Sequence, residues 1–469
     1  MKPKSISRFP GVRHVSALVL VSSITVFAAG CASAAQYKWV GTTNTSWTTS
    51  TNWTTGTGLT AGPAPTGTST LNRLSVNNTN ANSATYNFPG VTTTYAADAA
   101  SGSRGLVIGS GSSGSMVISG GTFSTLGGIS QDIIGNGTGF TGTLTIDGTL
   151  NSGDAQYIGT NLNTDIGLGF GSVGSLSVKN GSATVAELRT NNTTATITLE
   201  TGGTLAMNKL TYNGGGNNII NFNGGTLKAR TTTSAFVATP SNGSTTLTVK
   251  SLGAIIDTNT FDITIARPIL TDAVSLGGGI TKNSAGLLTL GAVSTTTGPA
   301  IVNAGGLSVP AGLASWKPSS FSHSGNVMNF SVGVFNPSNL AMIDTAGAVS
   351  FSNPTIVNVT GSQFVVGAIP LVKYGTLSGY SNLTLNTASL PAGVLATLKD
   401  NGAGLIYLDV TQGGFIWSGA SATPGTGDWD TTSSNWNNFL GLYSNPAPVT
   451  FPSISGGGTV TLTTDVSPA

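Results

Sequence analysis

Between about residues 105 and 230 one phrase keeps returning, a short alternating strand of β-branched residues followed by small turn residues. It reads Met116-Val117-Ile118-Ser119-Gly120-Gly121-Thr122, then Leu144-Thr145-Ile146-Asp147-Gly148-Thr149, then Leu176-Ser177-Val178-Lys179-Asn180-Gly181-Ser182. It continues as Ile197-Thr198-Leu199-Glu200-Thr201-Gly202-Gly203-Thr204 and Ile220-Asn221-Phe222-Asn223-Gly224-Gly225-Thr226. The central apolar residues Ile118, Ile146, Val178, Leu199 and Phe222 lie 28, 32, 21 and 23 positions apart. A second phrase, Ile108-Gly109, Ile134-Gly135 and Ile158-Gly159, recurs at 26 and 24. A unit this short cannot bury its own apolar face and must stack on its neighbours.

These periods predict an all-β chain whose core is a parallel β-helix or solenoid, each strand stacking on its equivalent one turn earlier. Strand alternation turns Ile, Val, Leu and Phe inward and Thr, Ser and Asn outward. Gly-Gly and Asn-Gly corners supply positive φ at the bends. An irregular sandwich or barrel of hairpins is the alternative. Composition argues against helices: Lys, Arg, Asp and Glu make up 7% of 469 residues, whereas Gly contributes 66. Surface helices need charged faces that this chain does not supply.

Residues 1–34 read as a secretory signal. Lys2, Lys4, Arg8 and Arg13 precede an apolar stretch from Val15 to Ala29, and Ala32-Ser33-Ala34 offers a small-residue cleavage site. The apolar stretch is short for a membrane span. Cleavage would remove four cations and no anions, leaving 14 basic residues against 16 acidic ones. The apparent basicity therefore belongs to the leader, and the mature chain has no electrostatic reason to bind nucleic acid. Cys31, the sole cysteine, falls in the leader, so the mature chain is expected to hold no disulfide and no thiolate zinc site. A lipid anchor at Cys31 is the competing reading, because Ala29-Gly30-Cys31 is similar to a lipoprotein box.

Tryptophan marks both ends. Trp39-Val40-Gly41, Trp47 and Asn52-Trp53 precede Pro63-Ala64-Pro65; Trp417-Ser418-Gly419, Trp429 and Asn435-Trp436 precede Pro446-Ala447-Pro448. The last Trp and first Pro are ten residues apart in both copies. By the first copy's count, the 33 residues after Trp436 reach only the position of Tyr86, so the second module reads as a truncated copy or part of a longer array. The expected organisation is a signal peptide (1–34), a Trp-box cap (35–90), a parallel β-helix (91–310), a second β segment continuing or flanking it (311–412), and the start of a second Trp-box module (413–469). About nine turns, spanning roughly 40 Å at ~4.8 Å per strand, are expected in the central part.

Residues 277–307 carry a resemblance. Gly277-Gly278-Gly279-Ile280-Thr281-Lys282-Asn283-Ser284-Ala285-Gly286-Leu287-Leu288-Thr289-Leu290, followed by Val302-Asn303-Ala304-Gly305-Gly306-Leu307, resembles the autotransporter-associated β-strand repeat of bacterial passenger proteins. The Trp boxes, and Ile369 to Val410, look like segments common in such secreted proteins. Ser294-Thr295-Thr296-Thr297-Gly298 departs from the family's Asn-x-Tyr-x-Gly. The resemblance implies a right-handed parallel β-helix exported to the outer surface of a Gram-negative-type cell, and no enzymatic activity.

Candidate chemistry is sparse. Gly109-Ser110-Gly111-Ser112-Ser113-Gly114 matches a dinucleotide fingerprint, but Met116-Val117-Ile118 opens a strand where a helix is required. His323 is the sole histidine after the leader and reads as a surface or turn residue. Asn163-Thr164-Asp165 is similar to one element of pectin-hydrolysing β-helices, without the family's other catalytic motifs. Asp428 and Asp430 are the closest acidic pair and read as turn acids. Lys179, Arg189, Lys228 and Arg230 read as scattered solvated charges, or alternatively as a basic stripe for acidic glycans. No cofactor or metal is expected. The six box tryptophans, Trp39, Trp47, Trp53, Trp417, Trp429 and Trp436, are candidate sugar-stacking residues, although a lid over the solenoid's open end is the stronger reading. The expected function is structural or adhesive, toward glycans, matrix or neighbouring cells; a polysaccharide-binding or polysaccharide-degrading β-helix is the alternative.

Overall fold

The computed structural model describes residues 35–39, 44–55, 69–77, 82–96, 106–126, 131–136, 138–147, 156–159, 165–170, 173–191, 194–213, 216–310, 314–332, 340–361, 364, 366–391, 394–412, 415–416, 419–420, 423–424, 427–429, 449–450 and 460–462. The expected signal peptide, Cys31, Pro63-Ala64-Pro65, Trp417, Asp430, Trp436 and Pro446-Ala447-Pro448 lie outside these residues.

The described chain holds no α-helix and coils into a parallel β-solenoid with three strand ladders. The first ladder starts with the opening residues of Ala84–Ala96 and of Gly114–Leu126. It then runs through Thr141–Asp147, Val173–Lys179, Ala195–Glu200, Asn217–Asn223 and Ser244–Val249 to Ile269–Thr271. The second starts with the far halves of the same two long strands. It passes through Gln156–Gly159, Ser182–Thr184, Thr204–Met207, Thr226–Ala229, Ala254–Asp257, Ile280–Asn283, Ala300–Val302, Phe321–His323 and Ala348–Phe351 to Thr376–Ser378. The third stacks from Ala35–Trp39 to Leu383–Leu385, and counting both ends it has nine strands from Leu106–Ser110 to Gly306–Pro310, close to the turn count that the repeat length predicts.

The column read from the sequence is real: Ile118, Ile146, Val178, Leu199 and Phe222 are register partners coil after coil, and each is buried. The second phrase is corrected at its third member. Ile108 pairs with Ile134, but Ile134 then pairs with Leu168, while Ile158 sits in the second ladder opposite Ser124 and Thr184. One corner between the first and second ladders carries left-handed residues on successive coils, Asn180, Gly202, Gly224, Gly253 and Gly277. Gly and Asn recur there because other side chains resist positive φ.

The ends belong to the same stack. The Trp-box segment caps the solenoid as its first coil, with Ala35–Trp39 pairing in parallel with Ser69–Val76 and Trp39 opposite Val76 in the third ladder. Past residue 310 the segment continues the solenoid, as the first of its two expected arrangements has it, with parallel stacking running on to Thr376–Ser378 and Leu383–Leu385. After Thr271 the first ladder becomes irregular. The Thr295 N–H still donates to Ile269 O, Trp316 bridges to Ile343, and Ile343–Asp344 pairs with Gly367–Lys373. That strand is then covered by the antiparallel strands Leu405–Gln412 and Leu395–Asp400. Antiparallel cover of this kind protects an edge that would otherwise offer free hydrogen-bonding groups.

The second Trp box repeats the strand partnerships of the first. Phe415–Ile416 pairs in parallel with Val449–Thr450, and Gly427–Trp429 with Val460–Leu462. In the first copy Ser46, the residue before Trp47, bridges in parallel to Thr85; in the second Asp428, the residue before Trp429, pairs with Thr461.

Candidate functional site

The tryptophans of the first box are core residues, which corrects their sugar-stacking assignment. Trp39 and Trp53 are fully buried and Trp47 is 2% exposed. Trp47 contacts Trp39, Trp53, Tyr86 and Phe123, with ring centroids 4.7–6.4 Å apart and mostly edge-to-face. Trp39 Nε1 donates to Asn82 O at 3.1 Å and Trp53 Nε1 to Trp47 O at 2.7 Å, so both indole donors are satisfied. A sugar ring cannot reach these faces. In the second box Trp429 is buried as well.

The candidate basic stripe resolves into individual partnerships. Lys179 meets Asp147 at 3.2 Å, Arg189 meets Glu187 at 3.4 Å, and Lys228 meets Asp257 at 3.1 Å. Arg230 donates to the carbonyl of Val185 at 2.6 Å. Glu187 also accepts from Lys209 at 2.9 Å and from the Thr211 hydroxyl. Burial alone would raise the Glu187 and Asp257 carboxyls, but hydrogen bonds and neighbouring cations hold both below their ordinary range. A general acid for glycoside cleavage needs the opposite shift. The fingerprint-like Gly109 to Gly114 is followed by the strand Gly114–Leu126, as the sequence indicated, so no helix N-terminus meets it. Asp165 begins a third-ladder strand between Gln131 and Glu187. Among the described residues no three His, Cys, Asp or Glu side chains gather as a metal site, and no helix is long and apolar enough to cross a membrane.

The stretch quoted as repeat-like forms two stacked copies of one corner. Ile280–Asn283 and Ala300–Val302 are consecutive second-ladder strands, and Leu287–Leu290 and Gly306–Pro310 are consecutive third-ladder strands. Lys282 occupies an inward position, opposite Ile256 on one side and Val302 on the other. Its Nζ donates to Gly286 O at 2.5 Å, to Ala304 O at 2.6 Å and to Ser284 O. One ammonium thus ties its own corner to the next coil's. Burial lowers its pKa to about 8, with Asp257 and Asp262 pulling the other way, so it remains cationic at neutral pH.

His323 is the second polar residue of this inward column and corrects the surface reading. It is fully buried between Phe321 and Phe351. Nε2 lies 3.2 Å from Val327 O, a pure acceptor, so Nε2 carries the proton; Nδ1 faces the Thr355 hydroxyl at 3.4 Å. The alternation Phe321-Ser322-His323 carried the signal, since period two places His323 on Phe321's side.

The outer side of the first ladder presents two regular columns of half-buried side chains. One outward column reads Ser115, Thr143, Ser175, Thr196, Ile219, Thr246, and its neighbour Val117, Thr145, Ser177, Thr198, Asn221, Thr248. Neither column contains a charge. The hydroxyls both donate and accept, at a coil spacing of ~4.8 Å. The chain matches no family model, no curated protein and no solved structure.

Proposed function

We propose that this chain is a non-catalytic, exported β-solenoid of the autotransporter-associated repeat type, and that it works as a structural or adhesive surface protein. The observation that carries this reading is the pair of uncharged Thr/Ser/Asn columns held in register over successive coils. Such a face makes many weak polar contacts, and repetition along a stiff scaffold converts them into avidity. Export is the expectation of the apolar, cation-led segment at residues 1–34, and glycans, matrix or neighbouring cells are the partners proposed.

Adhesion of cells displaying the full chain, compared with cells displaying Thr145→Lys/Thr198→Lys/Thr248→Lys, tests the reading. Loss of adhesion in the variant supports it; equal adhesion removes this face from the function. The polysaccharide-processing alternative requires release of reducing ends from neutral or acidic glycans by the purified chain.

A further inference from the structure

Beside the two uncharged columns runs a third outward column, at the edge of the first ladder. In coil order it reads Asp147, Lys179, Glu200, Asn223, Lys250, Asp272. Asp147 pairs with Lys179 and Glu200 with Asn223. The remaining members sit one position beyond the paired Val178–Leu199, Phe222–Val249 and Val249–Thr271. Backbone bonds Lys250 N to Phe222 O and Asp272 N to Val249 O extend the register to them.

The charges are antisymmetric about Asn223. One coil away stand Glu200 on one side and Lys250 on the other; two coils away stand Lys179 and Asp272. A two-fold axis lying along the Asn217–Asn223 strand reverses coil order and leaves each column facing itself. It would set Glu200 of one copy against Lys250 of the other, and Lys179, which Asp147 of its own chain already meets at 3.2 Å, against Asp272, each pair occurring twice. On the same axis Ile219 meets Ile219 and Asn221 meets Asn221, while Thr196 meets Thr246 and Thr198 meets Thr248.

Leu252, Val274 and Leu276, which are 63%, 94% and 66% exposed, stand next to Lys250 and Asp272 at the corner beside this face.

We infer that this face is a self-complementary docking surface whose partner is a second copy of the chain, packed antiparallel about Asn223. The inference rests on the reading of this face as an interaction surface and names its partner. Five coils at ~4.8 Å and a strand of seven residues at ~3.3 Å each give a face of about 20 Å by 20 Å. That is small against the ~800 Å² per partner of stable complexes, so the dimer is weak, concentration-dependent and disfavoured by salt.

Sedimentation velocity of the full chain over a concentration series, at low and at molar salt, is the test. The expected result is a monomer–dimer equilibrium that salt weakens. Glu200→Lys and Lys250→Glu each place like charges opposite one another and should weaken association about tenfold or more, whereas the double variant should recover it. Ile219→Lys, which sets a charge on the axis, should abolish it; circular dichroism confirms that each variant is folded. A chain monomeric at every concentration overturns the inference, as does a double variant no tighter than the singles. A monomeric chain that still supports adhesion overturns only the dimer; a dimer without adhesion overturns only the adhesive role.

Discussion

His323 lies two coils along from Lys282 in the same inward column of the second ladder, with Val302 between them. Two titratable groups thus occupy positions that Ile256 and Phe351 fill elsewhere in that column. They solve burial in opposite ways: Lys282 keeps its charge by surrounding it with carbonyls, while His323 gives its charge up.

The neutral histidine makes the fold acid-sensitive. Burial, reinforced by the Lys282 charge, pushes His323 from its ordinary 6.5 down to about 4. Above pH 6.5 neither folded nor unfolded chain is protonated at this ring. As pH falls from 6.5 to 4, the unfolded chain binds a proton that the folded chain refuses, so stability is lost across that window, amounting to about 3 kcal/mol. Urea unfolding at pH 7 and pH 4.5 should show this loss in the parent chain. In His323→Leu the midpoint difference between the two pH values should shrink; an undiminished difference would assign the acid sensitivity elsewhere.

The caged ammonium is expected to be costly to remove. Lys282→Met keeps most of the side-chain volume but takes the ammonium donor from the half-buried carbonyls of Ser284 and Ala304 and leaves Gly286 O only the long bonds from Gly306 N–H and the Thr258 hydroxyl; each carbonyl left unsatisfied is worth about 1–3 kcal/mol. The coils around residues 280–310 should then open first, and hydrogen exchange at the 280–283 and 300–302 amides should accelerate relative to those at 195–200. Uniform exchange across both regions would show that the cage contributes little.

How much of this was readable in advance depended on whether local pattern or coil assignment decided the matter. The column from Ile118 to Phe222 was legible because alternation fixes the inward side and glycine corners mark the bends. Ile158 was misassigned because a repeat length does not say which of three ladders a strand joins; coils here differ by several residues, and two Ile-Gly phrases 24 apart can sit on different faces. The tryptophans favour a lid but leave sugar stacking open in the sequence, because an indole has both a large apolar area and a face on which a sugar can stack. Only the convergence of Tyr86 and Phe123 on Trp47, from 39 and 76 residues away, shows that it is interior. The charge antisymmetry about Asn223 was hidden for a different reason: it appears only when strands separated by loops of unequal length are laid side by side.

Burial of the first box makes Trp47 a stability residue. Trp47→Ala removes the ring at the centre of the aromatic cluster and should cost about 3–5 kcal/mol. Near-ultraviolet circular dichroism should lose the contribution of the packed indoles, and addition of neutral oligosaccharides should leave the parent spectrum unchanged. A saccharide-dependent change that disappears in the variant would place a sugar against this cluster after all.

The glycine run at 277–279 separates two costs that sequence alone merges. A Cβ on Gly277, at φ +88°, would meet nothing within 4 Å, so Gly277→Ala bears only the left-handed backbone penalty of about 1–2 kcal/mol. A Cβ on Gly278 would fall 1.8 Å from Lys250 O, and one on Gly279 1.9 Å from Pro299 O. Neither contact can be relieved by rotating a side chain, because both partners are backbone carbonyls of adjacent coils. Gly278→Ala must therefore push two coils apart, and its denaturation midpoint should fall well below that of Gly277→Ala. Equal midpoints would mean that the coils separate easily at this corner, and that the close approach of Gly278 to Lys250 is not what selects glycine there.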